Sequence, residues 1–201
     1  MAMRLQEVHP ALVHFPLALL PLSIGADLLG RATGSKALTD LGRRTMPLAA
    51  ASGLVAGVAG IMAQTEVNAE GEALEMLQTH RTLNLGLVGV AAAMAAYRAR
   101  TEKPGLGYLL AGLVGLAVLD YSAYLGGSMV YHLGVGVEAA DGVRPDPPVP
   151  ELTAPRAART ALSDVQKGIQ LTVDETAKGQ LVPGLAGRLR GESRGEAAPA
   201  D

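Results

Sequence analysis

Four histidines, His9, His14, His80 and His132, are the side chains of this sequence best suited to metal or proton chemistry. Neutral imidazole is the usual protein ligand for haem iron and for borderline metals. In a bilayer it costs free energy unless it is paired or ligated. The chain has no Cys. That excludes disulfides, Cys-ligated zinc, Cys-held iron–sulfur clusters and thioether-linked haem. No HxH, HxxH or HxxxH spacing offers a local metal clip. His9 and His14 are five residues apart, about 140° around a helix, so they do not serve one axial position together. No Ser-His-Asp order and no nucleophile motif accompanies them.

The elements that must position these histidines are apolar helices. The chain has 201 residues and is 49% hydrophobic. No charge falls between Glu7 and Asp27, Arg44 and Glu66, Arg81 and Arg98, or Lys103 and Asp120. A helix needs about 20 apolar residues to cross a bilayer core. The first two blocks meet that length. The third and fourth hold 16 uncharged residues each, and the fourth continues to Val137 if Asp120 is accepted. The expected helices run from Pro10 to Leu29, Met46 to Gln64, Thr82 (or as early as Ala69) to Tyr97, and Gly105 to Leu125. Pro16 and Pro21 should kink the first, since each removes a backbone hydrogen bond. Gly126-Gly127 should end the fourth. Gly53, Gly57 and Gly60 share one helix face, as do Gly112 and Gly115. Such spacing serves close helix packing and would also admit a flat porphyrin. The fold class is an all-α, integral membrane four-helix bundle over residues 1–140. A Pro-rich linker and a mostly disordered extracytoplasmic tail over 141–201 follow it.

Basic residues set the orientation. Arg31, Lys36, Arg43, Arg44, Arg98, Arg100 and Lys103 lie at one end, against Arg4 and Arg81 at the other. Both termini should then be extracytoplasmic in a bacterial inner membrane. All four histidines fall at that same outer end. No cleavable signal peptide is expected, because His14, Pro16 and Pro21 interrupt the first apolar block. In the tail, Pro145, Pro147, Pro148, Pro150 and Pro155 mark an extended linker. One short helix fits Arg156 to Val182, and Gly184 to Asp201 reads as disordered. A net charge of −2 implies no nucleic-acid partner. The expected partners are the lipid bilayer and an extracytoplasmic redox protein.

Two segments are more specific. They are His9-Pro10-Ala11-Leu12-Val13-His14-Phe15-Pro16 and Gly126-Gly127-Ser128-Met129-Val130-Tyr131-His132-Leu133-Gly134-Val135-Gly136-Val137. They resemble the paired signatures, HPxxVHFP and GGxxVYxHGVGV, of an uncharacterised four-helix bacterial membrane family, domain of unknown function 2231. The resemblance covers roughly residues 5 to 140. It implies a further His before the third helix, here His80. Some relatives carry a Rieske-type iron–sulfur domain after the helices, which implies electron transfer nearby. Without Cys, this tail is not such a domain. The family's final His stands where this chain has Leu133, and His132 lies one residue earlier. The carry-over therefore rests on His9, His14 and His80.

Together these residues suggest haem b held by two imidazoles, with His9 or His14 facing His80 across the bundle. The remaining histidine of that helix would pair with His132 or be structural. Zinc or copper at His9, His14 and His80 is the rival ligand set. Simple interfacial hydrogen bonding is the bland one. Arg81 could hold haem propionates or anchor the interface. Asp120 could relay protons or orient a ligating His; the alternative is an interfacial Asp bonded to Tyr121, Tyr124 or backbone. Asp27 is placed to pair with Arg31. The expected function is a membrane cytochrome-like subunit passing electrons near the extracytoplasmic face, with no catalysis by the chain alone. The alternative is a non-redox scaffold, or a metal- or proton-handling protein, using the same histidines.

Overall fold

The computed structural model describes residues 5–137, 140 and 157–179. The linker expected over Val143–Pro155 and the disordered segment expected over Gly184–Asp201 lie outside those residues. Six helices are present among them. They are α1 (Leu5–Leu12), α2 (His14–Thr33), α3 (Lys36–Ala63), α4 (Gly71–Arg100), α5 (Leu106–Tyr131) and α6 (Ala157–Ala177). Four spans are long and apolar enough to cross a membrane: Glu7–Thr33, which combines α1 and α2, then α3, α4 and α5. The fold is an all-α membrane four-helix bundle. Phe15, Leu48, Leu54, Leu110 and Val114 are exposed on its outside, as side chains facing lipid tails should be.

Each span contributes to one apolar core. Leu20 and Ile24 come from α2, Met46 and Ala49 from α3, Ala91 and Met94 from α4, and Tyr108 and Leu109 from α5. Gly112 lets α5 approach closely, since a Cβ there would lie 3.1 Å from Ile24 and 3.2 Å from Met94. The α2–α3 contact is the most extensive, and α3 is central, packing also on α1, α4 and α6. α1 packs on α3 and, more slightly, on α2.

Three helix boundaries differ from expectation for local reasons. The first span kinks at Val13, which keeps right-handed dihedrals between α1 and α2. Pro16 lacks the N–H that would bond to the Leu12 carbonyl, and its ring crowds that carbonyl. The break therefore falls on the turn before the proline, while Pro21 is carried inside α2. α3 starts ten residues before Met46, at Lys36, because the Ser35 side chain caps it by accepting from Leu38 N–H. α5 runs through Gly126-Gly127 to Tyr131. Tertiary packing outweighs the weak helix propensity of glycine, about 1 kcal/mol per residue. The chain turns instead at Gly134 and Gly136, which hold φ of 66° and 79°. Between them, buried Val135 enters a small cluster with Val67, Ala73 and Met129.

The short helix expected in the tail is α6. It packs on the last turn of α3, where the Gln64 amide donates 2.9 Å to the Gly168 carbonyl and 3.3 Å to the Thr172 hydroxyl.

Candidate functional site

His9 on α1 and His80 on α4 meet inside the bundle. Their ring centres are 6.2 Å apart and the ring planes cross at 85°. The Nδ1 of His9 lies 2.9 Å from the Ala56 carbonyl of α3. The Nδ1 of His80 lies 2.8 Å from the Ser122 carbonyl of α5. A carbonyl oxygen only accepts, so each ring must carry its proton on Nδ1. In the neutral tautomer, Nε2 then bears the lone pair. Four elements thus hold two rings in one protonation pattern, the pattern in which ligating histidines are usually fixed.

The seats for the rings are glycines. A Cβ on Gly60 would stand 3.1 Å from His9 Cε1 and Nδ1, and one on Gly126 would stand 3.2 Å from His80 Cε1. Of the glycine face on α3, Gly53 and Gly57 serve ordinary packing against Pro16 and Val88, and Gly60 takes an imidazole. His80 is steadied further by a side-chain chain. The Asn84 amide donates 2.7 Å to the Ser122 hydroxyl, which lies 3.1 Å from His80 Nδ1. Neither Asn84 nor Ser122 was singled out from the sequence. A polar residue one turn after His80 on an otherwise apolar helix was the available signal.

The other expected site residues lie elsewhere. His14 is exposed, and its Nδ1 reaches only the Ala11 carbonyl of its own turn at 3.3 Å. His132 is exposed at the C-cap of α5. Arg81 is buried beside His80, but its guanidinium donates 3.0 Å to the Gln64 side-chain oxygen Oε1 and forms an ion pair with Glu175 of α6. Asp120 is exposed on α5, about 200° around the helix from Ser122, and so faces away from the histidine pair. Among the described residues, no three or more His, Cys, Asp or Glu side chains converge as a metal site.

A second buried polar cluster lies at the opposite end of the bundle. Asp27 pairs with Arg98, not with Arg31, whose guanidinium donates to the Pro104 carbonyl at 3.1 Å. The expected pairing assumed an exposed i,i+4 contact. Asp27 instead lies on the buried face of α2, turned toward α4.

Fold and site define a polytopic all-helical membrane protein with an interior pair of oriented histidines. Residues 6–139, two thirds of the chain, match the family described as "Predicted membrane protein (DUF2231)", and the chain belongs to that family. No curated protein and no solved structure matches it.

Proposed function

We propose that this protein is a membrane cytochrome-like subunit in which His9 and His80 hold haem b, and that it exchanges electrons with a partner protein. The observation that carries this reading is the shared tautomer of two facing imidazoles. Both Nδ1 protons are committed to helix carbonyls, which leaves both Nε2 atoms as donors toward a metal. The two rings come from different helices with their centres 6.2 Å apart, close enough to serve one ligand together. Bound haem would supply one-electron transfer at a potential tuned by its imidazole ligands and surroundings.

The protein's own contribution is positional. The Ala56 and Ser122 carbonyls fix the rings, the Asn84–Ser122 contact supports His80, and Gly60 and Gly126 leave the rings room. His14, His132 and Arg81 are not needed in this reading. A zinc or copper site with three or four protein ligands is less well supported, because the histidine pair has no third partner among the described residues. The basic-residue bias supports an orientation with the histidine end and both termini on the extracytoplasmic side of a bacterial inner membrane. Reporter fusions after Lys36 and after Asp141 test that orientation.

The deciding measurement is a reduced-minus-oxidised absorption spectrum of protein made with ample haem and purified in detergent. A sharp α-band is expected. It should disappear in His9→Ala and in His80→Ala, and persist in His14→Ala and His132→Ala. A featureless visible spectrum of the folded wild-type protein would remove the haem reading.

A further inference from the structure

α6 is amphipathic in an unusual way. The side that meets the bundle is largely polar or lacks a side chain, with Val165 partly buried on it. Gly168 packs on Ile61 of α3, Thr172 accepts from Gln64, and Glu175 pairs with Arg81. Three large apolar side chains point elsewhere, while Leu171, 38% exposed, lies between the bundle and water sides. Leu162, Ile169 and Val173 are 70%, 49% and 59% exposed. Their spacing of seven and then four residues puts them in one stripe, on the flank of α6 turned away from Glu175. Lys167, Gln170 and Asp174, also exposed, form a third stripe at spacings of three and four. At about 100° per residue, the bundle-facing, apolar and polar stripes divide the helix surface into three sectors.

Three sectors are what a helix needs when it lies in the membrane plane against an integral bundle. One flank meets protein, one meets acyl chains and one meets water. A free surface helix needs only two. The place fits as well. α6 is anchored at Ile61 and Gln64, the end of the α3 span, and at Glu175 by Arg81 of α4. Five charges, Arg159, Asp164, Lys167, Asp174 and Glu175, keep it from crossing the bilayer.

We propose that α6 is an interfacial helix whose Leu162–Ile169–Val173 stripe takes the lipid surface at the histidine-bearing end of the bundle. Among the described side chains the water-facing sector carries one cation, Lys167, and one anion, Asp174, so the attraction is apolar and zwitterionic lipid suffices. Because Arg81 follows His80 directly in α4, the docked tail is tied to the membrane on one flank and to the histidine layer on another.

The chain contains no Trp, so a single introduced indole reads one position without background. The full-length Ile169→Trp and Gln170→Trp proteins are reconstituted in phosphatidylcholine vesicles, with and without brominated acyl chains. Ile169→Trp should emit at shorter wavelength and be quenched several-fold more strongly by the brominated lipid than Gln170→Trp. Val173→Trp should repeat the Ile169 result, which guards against a local disturbance at one site. Equal, weak quenching at all three positions would overturn the proposal by showing the stripe in water. A blue-shifted Ile169→Trp that brominated lipid fails to quench would overturn it too, because protein, a second copy or a partner, then covers the stripe.

Discussion

Asp27 on α2 and Arg98 on α4 form an ion pair at 2.8 Å, and neither side chain has any exposure. Both terminal nitrogens of the arginine are used. One nitrogen donates to the Thr101 and Glu102 carbonyls, each at 2.9 Å, and the other adds the Thr39 carbonyl at 2.9 Å to its bond with Asp27. The guanidinium carbon lies 5.8 Å from the centre of the Tyr108 ring. A single side chain thus ties α2, the start of α3, the end of α4 and the α4–α5 turn, with α5 supplying the ring.

Arg98→Ala should therefore be among the most destabilising single changes, because it leaves the Asp27 carboxylate buried without its cation. A loss of about 3–5 kcal/mol is expected for breaking one side of a buried pair. Arg98→Lys should recover little, since an ammonium cannot reproduce the fork. Arg31→Ala removes one partly exposed bond to Pro104 and should cost under about 1 kcal/mol. Unfolding in mixed detergent micelles measures all three. Similar losses for Arg31→Ala and Arg98→Ala would show that the buried pair carries no special share of stability.

The glycines make a sharper test of the histidine seats. Gly126→Ala puts a methyl 3.2 Å from His80, and Gly60→Ala puts one 3.1 Å from His9. Each should cost about 1–3 kcal/mol through overpacking or ring displacement. At Gly127 a Cβ meets nothing within 4 Å. Gly127→Ala should be neutral, or stabilising by up to about 1 kcal/mol from helix propensity alone. Thermal unfolding of the three variants separates the seats from the adjacent control. Equal behaviour of Gly126→Ala and Gly127→Ala would show that the His80 ring has room to spare.

The bundle was legible in the sequence because uncharged blocks of membrane length survive any detail of packing. The clustering of histidines at one end was legible for the same reason. The pairing of His9 rather than His14 with His80 was not, since it depends on how Pro16 kinks the chain at Val13. The carbonyls of Ala56 and Ser122 leave no mark on the sequence, because any residue supplies a backbone oxygen. Asp27 has Arg31 one turn on in its own helix, yet its partner, Arg98, comes from another helix. The docking of α6 has no apolar signature in the sequence, because its contact face is largely polar. Its most exposed apolar residues, Leu162, Ile169 and Val173, face away from the bundle rather than toward it.

Asp164 gives the docking of α6 a pH dependence. Its side chain is buried, one oxygen lacks a partner, and Lys167 is 3.8 Å from the other. Burial raises its carboxyl above the ordinary 3.8, with Lys167 opposing part of that shift. The docked state then binds more protons than the undocked one between 3.8 and the raised value. Docking should weaken as pH rises through that window and stay level above it. Asp164→Asn should abolish that component and tighten docking at neutral pH. Protease sensitivity of the tail against pH, compared between the two proteins, measures it. Identical profiles would mean that Asp164 does not sense docking.

The ion pair of Arg81 with Glu175 leads to an inverted expectation for the tail. Glu175→Ala in the full chain keeps α6 in place over a buried guanidinium that has lost its anion, or drives α6 off to hydrate it. Truncation after Gly142 removes the whole cover and leaves Arg81 open to water at the membrane surface. The point substitution should therefore cost as much stability as the truncation or more, although it deletes far fewer contacts. Membrane insertion and the helicity of the four spans should survive both changes. Double substitution of Arg81→Met with Glu175→Leu should recover most of the loss, since it removes both charges together. Detergent unfolding midpoints of the four proteins decide the matter. A truncation that cannot be recovered from the membrane would show instead that α6 is needed for the bundle to fold.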